Sequence, residues 1–158
     1  MHAMILELAE YENGRHEVVA SAADLHRALF GGTQYATEPA NTPSGAPGIY
    51  AHVIDDPDTG GLAGMAIWML NYSTWEGQYG VYLEDLYVRE AHRGKGYGRA
   101  LMSSLAKVCR DNGYTRFQWW VLDWNQPAIN VYTRLGAVPM DEWTVYRLTG
   151  EPLHRLSD

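Results

Sequence analysis

Three glycines alternate in Arg93-Gly94-Lys95-Gly96-Tyr97-Gly98, with a strand-like run at residues 79–88 before them. After them, Leu101, Leu105 and Val108 recur at helical spacing up to Gly113, a helix stop. Strand, glycine loop and helix in that order restrict the chain to folds in which a sheet strand feeds a covering helix. Such a loop brings backbone close to an anion and aims the unpaired N–H groups of the helix start at it, and Arg93 and Lys95 add positive charge. A pyrophosphate suits that arrangement. It is not a Walker loop, because no GxxxxGK followed by Ser or Thr is present; counting GxGxxG from Gly94 or Gly96 lands on Arg99 or Leu101, so it is not a dinucleotide fingerprint either.

The surrounding pattern extends the strand–loop–helix unit to a whole domain. Residues 5–12 read as the end of an amphipathic helix stopped at Asn13-Gly14, and Ser21-Ala22-Ala23-Asp24 as a capping box opening a short helix. A Pro/Gly-rich stretch at 37–48 reads as a mobile surface loop. Strands are expected at 49–54, 62–72 and 79–88, the first two joined as a hairpin by Asp55-Asp56-Pro57-Asp58-Thr59-Gly60-Gly61. A strand at 115–124, a helix capped by Asn125 with Pro127 in its first turn, and a last strand at 143–149 complete an α+β (mixed α/β) order. With 158 residues, 46% of them hydrophobic and 20% charged, one domain spanning residues 1–158 is expected and a disordered chain is excluded.

Several function classes fall away on simple grounds. The single Cys109 cannot form an internal disulfide, and no CxxC or HExxH pairing suggests a metal site. The longest apolar run, residues 62–70, is too short for a membrane helix, and no leader opens the chain, so a soluble cytoplasmic protein without a membrane partner is expected. A net charge of -7 argues against a nucleic-acid binder. From residue 28 to 88 there is no Lys or Arg, while Glu38, Asp55, Asp56, Asp58, Glu76, Glu84 and Asp85 lie there; Arg89, Arg93, Lys95, Arg99, Lys107, Arg110 and Arg116 crowd the segment that follows. One part of the chain prefers cations, the next prefers anions.

The loop from Arg93 to Gly98 resembles the R/Q-x-x-G-x-G/A pyrophosphate loop of the GNAT acyl-CoA N-acetyltransferase superfamily, preceded by the strand Leu83-Glu84-Asp85-Leu86-Tyr87-Val88. The run Asn125-Gln126-Pro127-Ala128-Ile129-Asn130-Val131-Tyr132-Thr133-Arg134-Leu135-Gly136-Ala137 is similar to that superfamily's N-x-x-A-x-x-x-Y-x-x-x-G-A helix. Within it, YLEDLYV, WNQPAINVY and ELAEYE resemble the diamine (spermidine/spermine) and thialysine acetyltransferase group. The resemblance implies a mixed central sheet flanked by helices, a homodimer, and a first strand ahead of ELAEYE for which only residues 1–5 are available; either the start is misassigned, or the sheet lacks that strand, or a partner subunit covers the gap.

It also implies roles. The backbone of Leu86, Tyr87 and Val88 would hold the pantetheine of acetyl-CoA, and Arg93, Gly94, Lys95, Gly96, Tyr97, Gly98 and Arg99 the pyrophosphate. Asn125, Ala128 and Tyr132 would line the coenzyme's arm, with Tyr132, seven residues beyond Asn125 and about two turns along one helix, as the acid for the departing thiolate. The acceptor is expected to be a small cationic amine. An alkylamine is neutral only about once in 2,500 molecules at pH 7, so a group must take its proton. Glu84, relaying through water, is the first candidate; Asp85 should project to the opposite strand face unless a bulge intervenes. Tyr11, Glu12, Trp120 and Glu142 are expected to line the amine channel, and no metal is needed. Two alternatives stay open: acetylation of a protein lysine or N-terminus, and a non-catalytic acyl-CoA-binding module.

Overall fold

A computed structural model describes residues 1–40, 42 and 44–157, in two compact units, Met1–Trp120 and Val121–Asp158. The first unit opens with α1 (His2–Tyr11) and α2 (Ala22–Phe30). α1 is ten residues long and starts at once, so residues 5–12 are most of a helix rather than its end. α2 begins as expected: the Ser21 hydroxyl accepts from the Asp24 N–H, and Asp24 accepts from the Ser21 N–H, satisfying two donors that a helix start leaves open.

Four strands follow in the order β1 (Tyr50–Asp55), β2 (Leu62–Ser73), β3 (Gln78–Val88) and β4 (Arg116–Trp119). β1, β2 and β3 pair antiparallel, and β4 joins β3 parallel after the crossover helix α3 (Tyr97–Asn112). Among the described residues no strand precedes α1, and the mixed sheet has four strands. The stretch 37–48 forms no regular element among its described residues; 41 and 43 lie outside them.

The pleat divides the apolar residues between two faces. On one, Met65, Ile67 and Tyr87 pack with Met4 of α1, flanked by Ile5, Leu8, Leu25 and Leu62. On β2, Ala66 and Trp68 have the opposite parity and turn to the other face; on β3, Val81 and Leu83 share the parity of Tyr87 but lie beyond the register slip at Glu84, which puts them on that other face too, where α3 lays its buried Leu101, Met102, Leu105 and Cys109. Each such aliphatic side chain contributes about 1.5–3 kcal/mol by leaving water. The glycine loop thereby runs from a strand packed on both faces into a helix packed against the sheet.

The second unit contains α4 (Gln126–Arg134) and α5 (Glu151–Ser157). Asn125 caps α4, its side-chain oxygen accepting from the Ala128 N–H at 3.3 Å. The strand expected at 115–124 stops at Trp119, and the one expected at 143–149 is absent. A strand needs a ladder partner, and the described regular elements of this unit are both helices, so the alternating Trp143, Val145 and its neighbours form no sheet.

Candidate active site

The loop that the sequence singled out is built as a cradle. Arg89 opens a single helical turn at Glu90–His92, after which Gly94 and Gly96 adopt φ of 76° and 83°, a region that side chains with a Cβ rarely enter. Gly96 is the N-cap of α3 and carries no side chain to satisfy the first-turn N–H groups. A Cβ at Gly94, Gly96 or Gly98 would meet nothing within 4 Å, so the loop's backbone is uncrowded on that side. Uncapped amides, a helix start and the exposed Lys95 make a fitting donor set for a pyrophosphate.

Arg93 is arranged differently from what its place in the motif suggests. Its guanidinium lies over the rings of Tyr11 and Tyr87, at 5.5 and 5.8 Å from their centroids, and its Nε donates to the Val88 carbonyl at 3.1 Å. It therefore joins α1, the end of β3 and the loop. Arg89 reinforces the joint with two bonds to the Glu7 carboxylate, at 3.0 and 3.3 Å.

β3 is where the two halves of the site meet. Its register against β2 slips: Ile67 faces Asp85 and Trp68 faces Leu83, which leaves Glu84 as an extra, bulged residue. The bulge that could cancel strand alternation is present, and Glu84 is exposed while Asp85 is half-buried. On its other side β3 pairs with β4 only from Gly80 to Leu83, so among the described residues Glu84 to Val88 have no ladder partner there. That leaves this edge of β3 without a ladder neighbour along Leu86, Tyr87 and Val88, with the Val88 carbonyl taken by the Arg93 side chain.

Burial pushes the Asp85 carboxyl up to about 6, helped by the negative charges of Glu84 and Glu12. Glu12, at the end of α1, is also raised by partial burial. Tyr11, Glu12, Glu84 and Asp85 are thus brought to one region of the first unit by α1 and the β3 bulge. Trp120, 57% exposed, sets its ring edge-on to Tyr82 at 5.7 Å between centroids. In the second unit Ala128 and Tyr132 are half-buried along α4, Asn125 is buried at its start, and Glu142 is exposed in irregular chain.

Two further residues at the loop escaped the sequence reading. His92, 9% exposed, lies 3.4 Å from the buried Asp56 carboxylate of the β1–β2 turn and 3.4 Å from the Lys95 ammonium. Its spacing to Asp56 has no periodic signature, so only the folded chain exposes the pairing.

The comparisons with known proteins agree with this geometry. The acetyltransferase (GNAT) family model matches residues 17–137. L-ornithine N5-acetyltransferase NATA1 of Arabidopsis thaliana is 30% identical, covering 99% of this chain and 82% of that protein. Thialysine N-epsilon-acetyltransferase of Caenorhabditis elegans is 33% identical over 99% of this chain and 88% of its own. Among solved structures, an integron cassette protein from the mobile metagenome of V. cholerae superposes with a TM-score of 0.72 at 26% identity, over 96% of this chain and 86% of that one. The glycine loop, the bulged strand beside it and these matches together establish that the chain belongs to the GNAT acetyltransferase family.

Proposed function

We propose that the chain transfers an acetyl group from acetyl-CoA to a primary amine of a small dicationic molecule, a diamine, polyamine or lysine-like amino acid. The observation that carries this reading is the placement of Asp85, with a carboxyl near 6, beside Glu84 on the strand that leads into the glycine loop and near Glu12 at the end of α1. The relatives' names, ornithine and thialysine acetyltransferases, support the same acceptor class.

In this mechanism the N–H groups from Gly94 to Arg99 bind the pyrophosphate, and the backbone at Leu86, Tyr87 and Val88 holds the pantetheine and polarises the thioester carbonyl. The carboxylates attract the ammonium. Asp85 narrows the gap to an alkylammonium from about six pKa units, for an ordinary carboxylate, to about four, which makes it the better acceptor of the proton as the N–C bond forms. Glu84 holds the entering charge and relays the proton through water. Tyr132, by its place in the α4 motif, protonates the thiolate as it leaves. The same reading makes the enzyme a cytoplasmic homodimer without nucleic-acid or membrane partners.

An amine panel with acetyl-CoA, following released thiol, tests the proposal. Putrescine, spermidine, ornithine and thialysine are expected to outrun lysine-containing peptides and anionic amines by at least about tenfold in kcat/KM, since the carboxylates repel the latter. Turnover led by peptides, or none with any amine, overturns it.

A further inference from the structure

The buried groups that this mechanism leaves unused lie directly behind the glycine loop. Asp56 is 6% exposed in the turn between β1 and β2, where its carboxylate accepts from the Thr59 hydroxyl at 2.5 Å and the Asp58 N–H at 3.0 Å. Its remaining oxygen capacity faces the His92 Nε2 at 3.4 Å. The His92 ring stacks on Tyr97, the first residue of α3, at 6.2 Å and 20° between planes. Its Nδ1 lies 3.4 Å from the Lys95 Nζ.

The chemistry of these groups gives the chain of bonds a direction. An ammonium only donates, so the Lys95 contact requires a bare Nδ1, and the ring's proton then sits on Nε2, where it points at Asp56. Lys95 spends one of its three N–H donors on His92 and keeps two for another acceptor. A lysine in an exposed loop otherwise samples many rotamers, and ordering it upon binding costs affinity.

We propose that His92 is a positioning residue for phosphate binding: held by Asp56, it holds the Lys95 ammonium at the glycine loop before the ligand arrives. The inference rests on the reading of that loop as a pyrophosphate site. It assigns to the β1–β2 turn a share of the coenzyme affinity.

Calorimetric titration of the full-length chain with coenzyme A tests it, using a double-mutant cycle. His92→Phe keeps the ring stack and the bulk but removes both polar contacts, and is expected to raise the Kd about five- to tenfold, the scale of ordering one long side chain. Lys95→Met should raise it at least as much. In the Lys95→Met background, His92→Phe should add less than about twofold. His92→Gln, whose amide oxygen and nitrogen can reproduce the accepting and donating atoms, should stay within about twofold of the parent. In steady state, His92→Phe should raise the KM for acetyl-CoA while kcat changes less than about twofold. Equal effects of His92→Phe with and without Lys95, or an unchanged Kd, overturn the inference while leaving the parent site intact. Failure of the unmutated chain to bind coenzyme A overturns the loop reading and this inference with it. If His92→Phe does not fold, Asp56→Asn replaces it in the cycle, and the same loss of effect without Lys95 is required.

Discussion

At the scale of single residues, Asp85 has opposite effects on activity and stability. Its carboxyl sits near 6 in the fold against an ordinary value of 3.8, so the folded state binds the proton more tightly than the unfolded chain. Its contribution to stability is present below about pH 4 and is lost as the pH rises to about 6, the range over which the carboxylate needed for proton acceptance forms. Asp85→Asn should therefore raise stability at pH 7.5 by about 1–2 kcal/mol in denaturant melts, with the gain gone near pH 4, while kcat/KM falls at least about tenfold. A variant less stable than the parent at pH 7.5 would contradict the burial argument. Tyr132→Phe should bind coenzyme A as the parent does and lose turnover by about 100-fold or more, the scale of a lost acid; full turnover would remove Tyr132 from the chemistry. The identity of the Glu84-Asp85 pair was legible in the chain. The shift of Asp85 was not, because it comes first from burial, which only packing creates, and then from the charges of Glu84 and of Glu12 on another element.

Among elements, those whose cause is local were readable, and the strands expected at 49–54, 62–72 and 79–88 formed close to those bounds; what depends on the details of pairing was not readable. The capping box of α2 and the Asn125 cap of α4 are written in neighbouring residues and formed as expected. Ser21→Ala should cost about 1 kcal/mol, read as a lower melting midpoint. The bulge at Glu84 depends on how β2 and β3 register, which no local spacing encodes. The alternation at 143–149 suits a strand, yet a strand is a pairing rather than a pattern. The cradle follows the same rule in reverse: Gly96→Ala meets open space but must hold φ of 83°, so it should cost about 1–2 kcal/mol of stability. Its methyl group would also stand in the anion's space, and coenzyme A affinity should fall further than Tm would suggest, as calorimetry beside thermal melts can show.

For the molecule as a whole, charge is divided along the chain: the region 28–88 is free of Lys and Arg, and the basic cluster begins at Arg89. The fold sets the boundary of those regions on β3, with the carboxylates at its bulge and the glycine loop just past its end. Raising salt from about 50 to 500 mM shortens the screening length from about 14 to 4 Å, so it should raise both the Kd for coenzyme A and the KM for a dicationic amine. A KM insensitive to salt would argue against carboxylate steering. No described helix is long and apolar enough to cross a membrane. The strand–loop–helix order, the caps and the segregation of charge were determined by the sequence itself, since each arises between residues close in the chain. The slipped register that exposes Glu84, the approach of Glu12 to Asp85 and the seating of His92 between Asp56 and Lys95 were decided by tertiary structure. Each of those joins groups from separate elements, and burial and charge act through space rather than along the backbone.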